Sequence, residues 1–489
     1  MTIVTADVPV TGLADLTNES RMIATPWSRM VRGIGLGQYP VDYDHLMAER
    51  IRATFDRLAT KVPDADAYTA FSGLLADFIL NVADPGAGLS RADMERALDR
   101  MWGALRAERN PYHRLTAGCI LLDAFAKLDI DRGLLIDGET DVPAEILAIL
   151  DQIEPDRIQD ENHGRHGHYE RLAASTAVFL AFGQLGIEDR LIGERNHVVA
   201  ALHLLDKIPA PFFRGRGGSM LLSAICVLGY ERFIFDGDRD YLQETLDYLD
   251  RADEVKNPPS FPQPMSDDFP KIYPLLTMLN AIAMSGRAQY LTYRRDRLAE
   301  ARQLLTAITP VERTHMGLYY LVALYNLGRL REQVPDVDAF VDDVVGQWGQ
   351  VDPGSDFFLN GIAYPYLIET AMVTGRTDLI TDTMLDRLLD SFPDLDRTSE
   401  GQANRPYPLS YVVTMLGEIG VADRLFAPRA RYGGMSPLNW AIDHLSADAV
   451  GEGSRLYMLD HAMVSYALRL RGANRKETEL FRKFRFRLA

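Results

Sequence analysis

Residues 357–378 read FFLNGIAYPYLIETAMVTGRTD. From Phe357 to Thr374 this segment is apolar on almost every side of a helical wheel, and such a helix has to be buried all round. Gly375 supplies the left-handed position that ends a helix, and the following Arg376-Thr-Asp378 offers a cap for the next one. The same punctuation recurs at Gly186-Ile-Glu-Asp-Arg190, Asp236-Gly-Asp-Arg-Asp240, Gly286-Arg287, Gly328-Arg329, Gly420-Val-Ala-Asp423 and Gly472-Ala-Asn-Arg475. The marks fall roughly every 40 to 50 residues, the length of a long helical hairpin.

Before the marks lie further apolar helices: His168 to Gly186, Ser219 to Phe235, Phe269 to Ser285, Thr314 to Leu327, Tyr407 to Ile419 and Leu456 to Leu470. After them come more charged, amphipathic ones, such as Tyr241 to Glu254 and Leu291 to Leu305. Alternating patterns typical of strands are nearly absent, so the fold class is all-α. An apolar helix followed by an amphipathic one suits an inner ring inside an outer ring. The expected architecture is helical hairpin repeats closed into an (α/α)6-7 toroid (barrel). The alternative is an open α-solenoid, which needs a polar concave face that these apolar helices do not offer. Residues 1–42 read as an extended N-terminal arm, 43–472 as the toroid domain and 473–489 as a basic C-terminal tail.

The chain has 489 residues and a formal net charge of −17, from 52 Lys plus Arg against 69 Asp plus Glu. Such a polyanion repels phosphate backbones, so nucleic acid is excluded as the main partner and a small-molecule substrate is expected. Cys119 and Cys226 stand far apart, which excludes a disulfide framework and a thiolate zinc site. No leader pattern and no apolar run of about 18 residues interrupts the sequence, so no transmembrane segment and a cytoplasmic location are expected.

Parallel inner helices gather their N-termini at one mouth, where their dipoles attract anions. The sequence near those starts is rich in polar chemistry. His163, His166 and His168, with Glu161 or Glu170, fit either a metal or an anion beside Arg165 and Arg171; the spacing lacks an i, i+4 pair, so no metal site is assigned. Phe213-Arg-Gly-Arg-Gly-Gly-Ser219 reads as a glycine-rich loop in which Arg214 and Arg216 hold phosphate or carboxylate and Ser219 begins a helix, or as a capped loop with ordinary ion pairs. Asp267 and Asp268 are neighbouring carboxylates able to raise one another's pKa, or plain helix caps. Arg313 and Arg405 stand at further helix starts.

His315 and Glu369 interrupt apolar helices, so each must be paired in a structural or catalytic network. Tyr273, Tyr319, Tyr364, Tyr366, Tyr407 and Tyr457 would line an interior with aromatic faces and phenolic handles, or serve as core. Three Tyr-Pro pairs, at Pro274, Pro365 and Pro408, read as sitting in or near first helical turns, where proline is tolerated.

This layout resembles the α/α-toroid superfamily of terpenoid cyclases and protein prenyltransferases, and Ser266-Asp267-Asp268 is similar to part of the D-x-D-D acid motif of protonation-initiated cyclases. Met265 stands where the motif's first Asp belongs. The resemblance implies an isoprenoid or other hydrophobic substrate, an initiating acid at Asp267 and aromatic walls that stabilise carbocations. A diphosphate-bearing substrate would bring Mg; no other cofactor is expected. Similar toroids also serve carbohydrate epimerases, hydrolases and lyases, which would use His315, Glu369, Tyr and Arg as acid-base and carboxylate-binding groups. A non-catalytic helical-repeat scaffold that binds a protein partner is the third reading.

Overall fold

A computed structural model describes residues 45–60, 67–82, 90–108, 111–128, 140–153, 167–251, 266–351, 357–393, 409, 412–413, 415–416 and 419–444. The described residues are mostly helical. In chain order the main helices are α1 (His45–Ala59), α2 (Ala67–Asp77), α3 (Arg91–Ala107), α4 (Pro111–Leu128), α5 (Val142–Gln152), α6 (Gly167–Leu185), α7 (His197–Leu204) and α8 (Pro211–Val227). They continue as α9 (Tyr241–Arg251), α10 (Phe269–Met284), α11 (Arg297–Ala307), α12 (Pro310–Asn326), α13 (Val337–Gly346), α14 (Phe357–Val373), α15 (Asp382–Asp390) and α16 (Pro437–Asp443).

The even-numbered helices from α2 to α14 pack in succession, each on the next even one, while the intervening odd helices lie against them. Burial follows this division. Along α8 the run Gly215 to Val227 is buried without a break, and α10 is buried from Ile272 to Ile282. In α11 only Arg297, Ala301 and Leu305 are buried, the one-sided stripe of an outer helix. Cys119 and Cys226 are buried core residues, as their helices imply.

The glycine punctuation holds at Gly186, Gly286, Gly328, Gly375 and Gly420, all at positive φ. At Gly375 the amide donates to the Met372 carbonyl and Arg376 N–H reaches back to Ala371, the double bond of a Schellman cap. Gly229 makes the same cap after α8, with Tyr230 N–H to Ile225. Asp236-Gly-Asp-Arg-Asp240 is instead a tight hairpin, β1 (Phe235–Asp236) paired with β2 (Arg239–Asp240). Next to these turns, Asn196, Asp296, Asp336, Thr381 and Ser436 accept backbone N–H bonds and cap the outer helices.

Arginines near the turns tie several outer elements to the one before. Arg190 pairs with Asp141, Arg239 with Asp206, Arg297 with Asp250 at 2.6 Å, Arg376 with Asp342 at 2.8 Å and Arg429 with Asp390 at 3.1 Å. The same pairing links the two ends of the described chain: Arg57 of α1 meets Asp443 of α16 at 2.8 Å, and Thr54 Oγ1 donates to Asn439 Oδ1 at 3.1 Å.

Two expectations about inner-helix starts need correction. The segment Phe213 to Ser219 is no loop, because α8 begins at Pro211 and runs straight through it. Its glycines serve close packing: a Cβ at Gly218 would sit 2.6 Å from Thr245 Oγ1, and one at Gly215 would sit 2.8 Å from Leu249 Cδ2, both on α9. Pro274 and Pro365 lie inside α10 and α14 rather than in their first turns, so each withholds the N–H that the carbonyl four residues earlier would have received.

Candidate functional site

Contacts between successive inner helices climb together. Ser223 Oγ donates to the Thr277 carbonyl and Cys226 Sγ to that of Ala281, while Asn326 of α12 bonds Asn280 of α10. These helices therefore run parallel, and equivalent levels face each other. At the level nearer their N-termini, polar and aromatic side chains from α8, α10, α12 and α14 form one continuous buried cluster.

Arg216 of α8 starts it. Its guanidinium, 7% exposed as a residue, lies 5.5 Å from the Phe212 ring and 5.8 Å from the Tyr273 ring of α10. Tyr273 meets Tyr319 of α12 edge-on with centroids 5.5 Å apart. Tyr319 brings its hydroxyl within 3.3 Å of that of Tyr366 on α14. Tyr366 in turn packs its ring 4.6 Å from His315, which meets Phe269 edge-on at 6.1 Å. Tyr169 of α6 extends the aromatic wall, 5.2 Å from Phe213. Buried Glu369, one turn beyond Tyr366, is within electrostatic reach of Tyr319.

Burial sets the protonation states. Desolvation holds the Tyr273 and Tyr319 phenols well above their usual range, with the neighbouring Tyr366 acting in the same direction, so both remain hydrogen-bond donors at neutral pH. Desolvation also pushes the His315 imidazole down to about 4, against a smaller opposing effect of the Val311 carbonyl. His315 is 3% exposed and therefore neutral in the folded protein.

Of the residues expected to carry chemistry, the structure thus joins Arg216, Tyr273, His315, Tyr319, Tyr366 and Glu369. Others lie elsewhere. Arg214 turns outward to Asp206 at 2.7 Å and stacks over Tyr248 at 4.1 Å; Arg313 lies 3.6 Å from Asp343. The Tyr364 hydroxyl donates to the Trp348 carbonyl at 3.4 Å, away from the cluster. Asp267 is exposed on the turn before α10, and Asp268 is half-buried, 3.6 Å from Lys271. Asp268 precedes the helix without a side-chain capping bond.

Glu312, in the polar stretch Glu312-Arg-Thr-His315 expected at an inner-helix start, also belongs to this region. It closes the capping box of α12 with Thr309, and its two carboxylate oxygens also take the amide and hydroxyl of Ser266, each at 2.7 Å. The turn carrying Asp267 and Asp268 is thereby fastened to the start of the helix that bears His315. Thr309-Pro-Val-Glu312 is legible as a capping box, but its second bond across 46 residues is not.

His168 is half-buried at the second position of α6, whereas His163 and His166 lie outside the described residues, as do Arg405, Tyr407 and Tyr457. Among the described residues no group of three or more His, Cys, Asp or Glu is placed to hold a metal ion, and no helix is long and apolar enough to cross a membrane. No protein-family model, curated protein or solved structure matches the chain. The cluster itself therefore carries the functional argument.

Proposed function

We propose that the helices close into an (α/α) ring, α1 sealing against α16, and that the buried cluster is the reaction centre of an enzyme of the carbohydrate-active α/α-barrel kind, an epimerase, hydrolase or lyase. The observation that carries this reading is the unbroken line Arg216, Tyr273, Tyr319, Tyr366, His315 across four inner helices. It sets a neutral imidazole beside protonated phenols, with the buried carboxyl group of Glu369 in electrostatic reach of Tyr319, which is the equipment of proton transfer. The Arg216 guanidinium adds positive charge suited to a substrate carboxylate. Closure is supported by Arg57–Asp443, which continues across the chain ends the same arginine-to-aspartate step seen between successive outer elements.

A second reading, the acid-initiated cyclase, draws support from the aromatic faces of Phe269, Tyr273, Tyr319 and Tyr366, which suit a cationic intermediate. Its initiating acid, Asp267, stands exposed outside the cluster. A substrate diphosphate would bring Mg and turn to Arg216.

The test is to incubate the full-length protein with uronate oligosaccharides and, separately, with prenyl diphosphates plus Mg, and to read products by mass spectrometry. The acid-base reading expects turnover of a uronate that falls about 100-fold or more in Glu369→Gln and is unchanged in Asp267→Asn. Cyclisation of a prenyl diphosphate that is lost in Asp267→Asn overturns it.

A further inference from the structure

The hydrogen bonds around His315 decide which ring nitrogen carries the proton. Nδ1 lies 3.2 Å from the Val311 carbonyl oxygen, an atom that only accepts. It also lies 3.2 Å from Thr314 Oγ1, whose own proton goes to that same carbonyl at 2.7 Å. Facing two acceptors, Nδ1 has to be the donor. A neutral imidazole has only one ring proton, so Nε2 is left as a bare lone pair.

That lone pair is wholly buried and has no hydrogen-bond partner among the described residues. Tyr366 packs its ring near that of His315 and Phe269 meets its edge, while the Tyr319 and Tyr366 hydroxyls engage each other. A buried acceptor left unmatched costs free energy and calls for a donor.

We propose that His315 is a fixed-tautomer acceptor: Nδ1–H is anchored to the helix backbone, and Nε2 receives a hydrogen bond from a hydroxyl of the bound molecule. The ligand at this point is then hydroxyl-bearing, which neither a carboxylate nor a hydrocarbon chain satisfies. This inference deepens the carbohydrate reading and rests on it for the identity of the ligand, but the tautomer stands on the protein alone.

Nitrogen-15 NMR of the full chain labelled at histidine tests both parts at pH 7.5, with His315→Phe, which keeps a ring and removes both nitrogens, used to assign the signal. The expected spectrum shows a protonated Nδ1 and an unprotonated Nε2. Glucuronate, the hydroxylated probe, moves the Nε2 resonance, and cyclohexanecarboxylate, of the same charge but without hydroxyls, does not. A proton on Nε2, or an equal response to both probes, overturns the inference. The expected tautomer with no response to either probe upholds the fixed acceptor and overturns the sugar acid as its ligand.

Discussion

The hydroxyls of Tyr319 and Tyr366 meet at 3.3 Å although 47 residues separate them, and both side chains are buried. They are contributed by neighbouring inner helices at the same level, so the pair reports directly on the register between α12 and α14. Tyr319→Phe and Tyr366→Phe should each cost about 1 kcal/mol of stability. The double variant should cost measurably less than the sum of the two, by roughly 0.5 kcal/mol or more, because the second change removes a bond already lost. Urea unfolding of the four proteins measures this; strict additivity would mean that the two phenols do not interact.

His315 should make the fold sensitive to acid. Its folded pKa, about 4, lies below the unfolded 6.5, so the unfolded chain takes the proton first. The contribution of the neutral ring is complete above pH 6.5 and is lost as pH falls from about 6.5 towards about 4, on the order of 3 kcal/mol in all. Unfolding free energies from pH 7.5 to 4.5 should therefore fall less steeply for His315→Phe than for the parent protein. Parallel curves would show that the ring is not held neutral.

Gly218 should tolerate no side chain. An added Cβ would lie 2.6 Å from Thr245 Oγ1 and 2.8 Å from its Cγ2, so Gly218→Ala should lose about 1 to 3 kcal/mol through overpacking of α8 on α9. Gly103 in α3 has nothing within 4 Å of the added atom, and Gly103→Ala should gain about 0.5 to 1 kcal/mol from helix propensity. Opposite signs in thermal melts are the expected outcome.

These glycines also explain what sequence reading could and could not reach. Apolar helices, glycine stops and polar caps are local features, so the hairpin layout and the ends at Gly186, Gly286, Gly328 and Gly375 were readable residue by residue. The start of α8 was not, because Gly215, Gly217 and Gly218 are poor helix formers and only their contacts with α9 and Tyr169 justify them. The site was half legible for a related reason. His315 and Glu369 stand out because charge-capable groups are rare on apolar helices. Residues two apart on a helix face nearly opposite ways, however, and the sequence gives no phase to choose between Arg214 and Arg216, Arg313 and His315, or Tyr364 and Tyr366. In each pair the second residue joins the cluster, and the first turns to Asp206, Asp343 or Trp348.

The proposed ring closure makes its own prediction. Thr54 and Asn439 are in hydrogen-bond contact between α1 and α16, so Thr54→Cys with Asn439→Cys should form an intramolecular disulfide under mild oxidation and raise the melting temperature. Mass analysis after proteolysis identifies the linked peptides. Crosslinking only between molecules would contradict a seam within one chain.

The most direct measurement concerns the buried cluster as a reaction centre. Turnover of a uronate substrate identified with the full-length protein should be compared among the parent, His315→Phe, Tyr366→Phe and Arg214→Ala. Loss of about 100-fold or more in kcat is expected for His315→Phe and Tyr366→Phe, with Arg214→Ala, whose side chain faces Asp206, close to the parent. Full activity in both cluster variants, with each still folded, would contradict the assignment.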